Sequence, residues 1–340
     1  MALTVTPNKF NNRTSKIENK KGIIMKVIST SPSFAKYDNS PIVELEKNGL
    51  EFLSFPADVT LEELKPHLNE TVALIVAFTD VNEELISYSP NLKIVCKHGV
   101  GVDNINLDAT KKKNIWVTNV PNANKHAVAD FAFALLLSAA RQVPQAYEKT
   151  KQGEWPRIFA TDVYKKTIGI FGLGSIGKEV AMRAKGFNME VLAYDPYPDV
   201  VFAEQHGIKF LPLDDVIKNS DFISIHMPLI ESTNNLFNAD KLSIMKKTAF
   251  ILNLSRGGII NESDLYNALS NKLIAGAASD VFVEEPLQAH PLFSLDNFIG
   301  TSHIAGYTDG AVQAIGEQCV ENIINLLIHQ KKPIYVMNGM

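Results

Sequence analysis

Only two cysteines, Cys96 and Cys319, occur among the 340 residues, and they stand far apart in the chain. Two such residues build neither a disulfide framework nor a structural zinc site. Long apolar runs are missing as well. The stretch Phe131 to Ala140 falls well short of the ~20 residues that a bilayer span requires. Positive charge is not in excess: 33 Lys and Arg against 37 Asp and Glu leave a net charge of −4, so no basic field gathers nucleic acid. No His, Cys, Asp or Glu cluster has metal-ligand spacing, and no metal is expected. The expectation left is a soluble cytoplasmic protein, and 46% hydrophobic with 21% charged residues is the balance of one.

At 340 residues the chain exceeds one typical domain and suits two. Residues 1–24 are polar around Asn8 to Gly22 and lack the apolar core of a signal peptide, so they read as a flexible N-terminal extension. From Lys26 onward, short apolar runs (Lys26–Ser29, Ala73–Ala77, Leu92–Cys96) alternate with amphipathic helical stretches, the rhythm of βαβ units. A long helical pattern follows from Ala123 to about Gly153. Its middle is apolar on nearly every side, so it is expected to be buried all round, crossing between domains or packing at a subunit interface.

A second alternating series then has strands near Thr167–Phe171, Glu190–Tyr194, Phe222–Ile225, Ala249–Asn253 and Ile274–Ser279. The pattern from Asp309 to His329 is one amphipathic helix, expected to return to the first domain. The fold class expected is α/β, with two doubly wound parallel-sheet domains and a cleft between them. Residues 25–121 with 306–340 would form the substrate-binding domain, and 122–305 the nucleotide-binding Rossmann domain.

Thr167-Ile-Gly-Ile-Phe is followed by Gly172-Leu-Gly174-Ser-Ile-Gly177, the spacing of a dinucleotide fingerprint placed after a strand and at the opening of a helix. Gly172 suits the tight turn, Gly174 the approach of backbone to a pyrophosphate, and Gly177 the contact of helix with strand. The N–H groups of Ser175 and Ile176 would face the phosphates at the positive end of the helix. Asp195 ends the next strand, where a carboxylate accepts from both ribose hydroxyls and repels a 2′-phosphate. No Arg or Lys follows in Pro196-Tyr197-Pro198, so NAD is favoured over NADP.

Three charged groups lie near the ends of later strands: Arg256 before Gly257-Gly258, Glu285 in Asp280-Val-Phe-Val-Glu-Glu-Pro, and His303 in Thr301-Ser-His-Ile-Ala-Gly. Oxidising a secondary alcohol by hydride removal also requires taking the hydroxyl proton. A histidine serves for that, a neighbouring carboxylate orients its ring, and a guanidinium grips a carboxylate at two points. Each residue taken alone has a bland reading as a surface charge or turn residue; together, behind the fingerprint, they read as a site.

In this order of motifs the chain resembles the D-2-hydroxyacid dehydrogenases, with short-form 3-phosphoglycerate dehydrogenases the most similar in motifs. The resemblance rests on Gly172–Gly177 with Asp195, His226-Met-Pro228-Leu229, Asn253-Leu-Ser-Arg256-Gly-Gly258, Asp280 through Pro286, and His303-Ile-Ala-Gly306. It implies a catalytic set of Arg256, Glu285 and His303. It also implies an NAD site that includes Gly172, Gly174, Ser175, Ile176, Gly177, Asp195, His226, Pro228, Leu254, Ser255, Arg256, Asp280, His303 and Ala305, with Asp280 near the carboxamide. Val100 and Gly101, in His98-Gly-Val-Gly-Val-Asp-Asn, would hold the substrate carboxylate together with Arg256. The helix from Ala123 resembles the family's dimer-forming element, which implies a homodimer.

The activity implied is NAD-dependent hydride transfer at C2 of a D-2-hydroxy or 2-oxo acid. The stretch from Val120-Pro-Asn-Ala-Asn through Leu135, Ala139 to Ala146 and Gly153-Glu-Trp most resemble 3-phosphoglycerate dehydrogenases, which implies 3-phosphoglycerate as the substrate, with Lys97 and Arg141 where that group places phosphate-binding cations. Ala77 stands where a further arginine is expected, and its loss weakens a phosphate site by a few kcal/mol, on the order of one charge-assisted contact. The alternatives are a general glyoxylate or hydroxypyruvate reductase and a non-enzymatic NAD-sensing corepressor. Formate-oxidising relatives carry Gln where Glu285 stands, and phosphite-oxidising ones a lysine where Val100 stands. His67, His206, His290 and His329 have no partner motif and read as surface residues.

Overall fold

Apolar runs flanked by turn residues become the interior strands of two parallel sheets. The structure, a computed structural model, describes residues 25–340, so the extension expected at 1–24 lies outside the described residues. Two compact units emerge among the described residues, one of residues 25–121 and 312–340, the other of residues 122–311. The boundaries read from sequence put the re-entry at 306 rather than 312.

In the first unit, β1 (Met25–Ser29), β2 (Leu50–Ser54), β3 (Thr71–Val76), β4 (Ile94–Lys97) and β5 (Trp116–Thr118) form a parallel sheet in the order β2-β1-β3-β4-β5. Every residue of β3 is buried, as a central parallel strand with helices on both faces requires. The helices start where short polar side chains cap them: Thr60 accepts from the Glu63 N–H while the Glu63 carboxylate accepts from the Thr60 N–H, a reciprocal cap. The helix Asp309–Leu327 re-enters this unit. Its Cys319 and the Cys96 of β4 lie together, Cys96 Sγ at 3.7 Å from the Cys319 carbonyl, so the only two thiols share one buried place.

In the second unit, β6 (Thr167–Phe171), β7 (Glu190–Tyr194), β8 (Lys209–Phe210), β9 (Phe222–Ile225), β10 (Phe250–Asn253), β11 (Gly276–Ser279) and β12 (Phe298–Gly300) are all parallel. Their order is β12-β11-β10-β9-β6-β7-β8, so winding reverses between β6 and β9 and opens a crevice beyond their carboxyl ends. Both sheets are doubly wound, as the alternating pattern predicts.

The long helical pattern is two helices, not one. Lys125–Arg141 and Val143–Lys151 meet at Gln142, which is left-handed at φ 52°, and the pair bends by 62°. Pro144 in the first turn of the second helix cannot extend the preceding one. The first helix packs its Val128, Ala132, Leu135 and Leu136 face on the sheet and on the helix Ser175–Gly186. Burial is not all round: Asp130, Ala134 and Arg141 lie exposed along its other face. No single helix among the described residues is long and apolar enough to cross a membrane.

Asp221, just before β9, ties three segments together. It accepts from the Thr167 N–H at 2.9 Å and pairs with Lys246 at 2.8 Å. Burial opposes its ionisation, but Lys246, the Thr167 amide and Lys166 hold the carboxyl below the usual range. A depressed carboxyl contributes stability that is present above its unfolded pKa and lost as pH falls through the folded one. Asp221→Asn is therefore expected to cost about 1–3 kcal/mol at pH 7. In urea melts the gap between wild type and variant closes as pH is lowered through the acid range; a gap independent of pH refutes this account.

Candidate active site

The residues expected to bind the dinucleotide collect beyond the carboxyl ends of the second unit's strands. Gly172, at φ 91°, makes the turn after β6, and a Cβ there would lie 2.8 Å from the His226 carbonyl oxygen. At Gly177 a Cβ would stand 2.1 Å from the Gly172 oxygen, so helix and strand approach only because both residues lack one. Gly174 differs: a Cβ there meets nothing within 4 Å, and this glycine opens the helix Ser175–Gly186 without any side-chain cap. The first N–H groups, at Ser175 and Ile176, are thus presented to open space at the positive end of the helix. This arrangement fits a pyrophosphate. A cavity of about 250 Å³ beside it is lined by Lys125, Ser175, Lys178, Glu179, Met182 and Phe202.

Asp195 accepts from the Leu173 N–H and the Tyr197 N–H, each at 2.8 Å, so the same carboxylate that suits a ribose also braces the glycine turn. His226 bonds Ser224 Oγ through Nε2 at 2.8 Å, and its buried Nδ1 has no partner among the described residues. Burial pushes its pKa down to about 3, so the ring is neutral near pH 7. Pro228 is exposed beyond it, while Leu254 and Ala305 are buried and Ser255 is half-buried.

Arg256 rides on a turn that Asn253 pins. The buried Asn253 amide donates to the Arg256 carbonyl at 2.8 Å and accepts from the Ser255 N–H and Oγ at 3.1 and 2.9 Å. Asp280, 1% exposed, proves to be an anchor of the His303 loop. It accepts from Thr301 Oγ1 at 2.6 Å and from the Ile304 and Ala305 N–H groups at 2.9 Å each. Its two oxygens thereby grip the chain on both sides of His303, a non-glycine residue at φ 56°. Such a conformation is held only where surrounding bonds over-determine it, and it concentrates at functional sites.

His303 Nδ1 meets Glu285 Oε2 at 2.7 Å, and Glu285 Oε1 accepts from the Phe282 N–H at 2.8 Å. Burial works against ionisation of Glu285. The hydrogen bonds from His303 and the Phe282 amide, with the charges of His303 and Arg256, still hold its carboxyl below the ordinary range. Arg256, Glu285 and His303 are thus brought to one electrostatic neighbourhood by three separate strand ends.

In the first unit, the loop after β4 carries Lys97, His98, Val100 and Gly101. The Lys97 ammonium donates to the Ala77 carbonyl and, at 2.7 Å, to Asn104 Oδ1. His98 is buried, with Nδ1 at 3.0 Å from Ser31 Oγ and 3.2 Å from Ser33 Oγ. Burial and the neighbouring Lys97 charge push its pKa down to about 4. The Val100 carbonyl accepts from the Asn119 amide at 2.7 Å. Arg141 ends its helix in the second unit and is exposed.

Two residues escape the sequence reading. His290, read as a surface residue, is only 17% exposed at its side chain and meets Glu262 at 3.1 Å. Glu262, at the start of its helix, carries no local signal beyond that of an acid in a first turn.

Fold and strand-end groups together define a dinucleotide-binding α/β protein, and the chain belongs to the D-isomer specific 2-hydroxyacid dehydrogenase family: residues 133–305 match that family's NAD binding domain. It is 40% identical over 273 residues to the D-3-phosphoglycerate dehydrogenase of Methanocaldococcus jannaschii, a match covering 79% of this chain and 52% of that protein. This chain thus spans about half the length of that relative. To the glyoxylate reductase of Pyrococcus horikoshii it is 39% identical over 279 residues, covering 79% of this chain and 82% of the other. The D-lactate dehydrogenase of Aquifex aeolicus, solved with NAD and lactic acid, superposes with a TM-score of 0.79 at 27% identity over 93% of this chain and 99% of that one. The resemblance read from the motifs is borne out at the level of the family and its NAD-binding domain.

Proposed function

We propose that this protein is an NAD-dependent oxidoreductase that moves a hydride to or from C2 of a small, unphosphorylated D-2-hydroxy or 2-oxo acid. The observation that carries the reading is the 2.7 Å contact between Glu285 and His303 at the strand ends of an NAD-binding domain. When bound, NAD supplies the hydride acceptor for oxidation and, as NADH, the donor for reduction. With Nδ1 engaged by Glu285, His303 takes the C2 hydroxyl proton on Nε2 in oxidation and returns it in reduction. Glu285 orients the ring and fixes which nitrogen carries out the transfer. Arg256 grips the substrate carboxylate and polarises the C2 oxygen, a task for a planar, always charged fork. Asp195, with no cation in Pro196-Tyr197-Pro198, supports NAD over NADP.

The engagement of Lys97 by a main-chain carbonyl and an amide oxygen, with neutral Ala77 beside it, favours the unphosphorylated class over 3-phosphoglycerate. The phosphorylated reading retains the exposed Arg141 and the likeness to the Methanocaldococcus protein. A cytoplasmic homodimer belongs to the same proposal. Tyr147, Trp155 and Phe159 are 62%, 79% and 91% exposed in and after the helix Val143–Lys151, an apolar arm suited to a second copy of the chain.

NADH oxidation against glyoxylate, hydroxypyruvate, pyruvate, branched and aromatic 2-oxo acids and 3-phosphohydroxypyruvate tests the assignment. An unphosphorylated acid is expected to give the highest kcat/KM. A clear preference for the phosphorylated compound overturns the substrate class, and silence across the panel overturns the enzyme in favour of an NAD-sensing corepressor.

A further inference from the structure

The segment 283–289 carries Glu285, and a single carboxylate outside it holds both of its ends. Glu262, the first residue of the helix Glu262–Ser270, accepts from the Val283 N–H through Oε1 at 2.8 Å. Its Oε2 meets His290 Nε2 at 3.1 Å. The other ring nitrogen, Nδ1, accepts from the Leu292 N–H at 3.4 Å, which puts the ring proton on Nε2 and makes His290 a donor to Glu262. The His290 ring also packs against Phe282, at 5.8 Å between centroids, next to the amide that bonds Glu285.

We propose that Glu262, acting with His290, is a positioning residue for Glu285. The inference rests on the reading of Glu285 and His303 as the proton-transfer pair. Within the segment, the bond from the Phe282 amide to Glu285 fixes the carboxylate relative to its own loop. The Glu262 clamp fixes the two ends of that loop to the helix Glu262–Ser270 through side-chain bonds. The clamp sits a short way along the chain from Arg256. Gly257, between them, lies so close beneath Phe282 and Val283 that a Cβ there would stand 2.0 Å from the Phe282 carbonyl carbon. Glu262 therefore keeps the Arg256 segment and the Glu285 segment in one register. A displacement of about 1 Å in such a support reduces turnover by roughly 10²-fold.

Glu262→Gln preserves the shape but leaves one acceptor for two donors, the Val283 N–H and the His290 Nε2–H. With the best 2-oxo acid of the panel, kcat is expected to fall roughly 10–100-fold while KM for NADH stays within about twofold. The acid limb of the kcat profile moves to higher pH, because a loosened Glu285 loses the bonds from His303 and the Phe282 amide that oppose its protonation. His303 and Arg256 are the charged groups facing that carboxylate.

A double-mutant cycle with Glu285→Gln separates positioning from general support. Once Glu285 is gone, Glu262→Gln is expected to have no further effect on kcat. A wild-type kcat in Glu262→Gln, or the same fold loss in both backgrounds, overturns the proposal. His290→Ala, which removes one anchor and leaves the Val283 bond, gives the same cycle if Glu262→Gln does not fold. Full activity in Glu285→Gln and His303→Ala would instead strike at the underlying reading, so the two failures are told apart.

Discussion

Replacing His303 by alanine is expected to lower kcat by roughly 10²–10⁴-fold, the loss that follows removal of a general acid–base group. NADH binding, followed by fluorescence, should persist, because the glycine turn and helix start that suit the pyrophosphate lie at another strand end. The backbone at His303 complicates alanine alone, since φ is 56° and a Cβ-bearing residue is strained there. Asparagine tolerates the left-handed region better and offers no base of useful pKa. His303→Asn should therefore fold as well as wild type and remain as inactive as the alanine variant. If the asparagine enzyme recovers wild-type turnover, the histidine is there for its backbone and not for a proton.

Gly257→Ala is the second substitution with a large expected effect. The added Cβ would lie 2.0 Å from the Phe282 carbonyl carbon, 2.1 Å from its oxygen and 2.4 Å from the Val283 nitrogen. These are backbone atoms, so no rotamer change relieves the clash. Overpacking of this kind costs about 1–3 kcal/mol, and relief demands a shift of the loop that carries Glu285. A fall in kcat of roughly 10²-fold is expected, together with a lowered Tm. Gly186→Ala is the control, because its Cβ meets nothing within 4 Å. Should Gly257→Ala keep wild-type kcat, the loop has slack that the 2.0 Å approach denies.

Legibility followed burial. Every strand read from the sequence lies in the interior of its sheet: β1, β3 and β4 in one, and β6, β7, β9, β10 and β11 in the other. The four missed strands, β2, β5, β8 and β12, are the sheet edges. An interior strand is packed on both faces and reads as a continuous apolar run, as Thr71–Val76 does. An edge strand is short or half-exposed, like Leu50–Ser54 and Lys209–Phe210, and its sequence carries little of that signal.

The glycine fingerprint was legible because its spacing is local, and each member of the charged trio because it lies in a short motif after its own strand. The roles of Asp280 and Glu262 were not. The first is defined by bonds to Thr301, Ile304 and Ala305, and the second by Val283 and His290, contacts that only the folded sheet brings about. The unbroken helix expected from Ala123 failed at Gln142. Apolar periodicity continues through a left-handed residue, while the chain direction does not.

The short edges have a consequence for how this protein avoids unwanted partners. An open sheet margin is a template on which a foreign strand can lengthen the ladder, the first step of aggregation. Here β8 spans only Lys209–Phe210 and β12 only Phe298–Gly300, too little for a stable graft, and β2 carries the charged Glu51. The remaining margin, β5, is sealed from within. Val336 bridges Thr118 in antiparallel fashion, the Met337 N–H donates to Val117, and the Asn119 N–H donates to Tyr335. Tyr335, Val336 and Met337 thus act as a selvedge on the first sheet, and displacing that segment would expose a ladder ready to recruit another molecule.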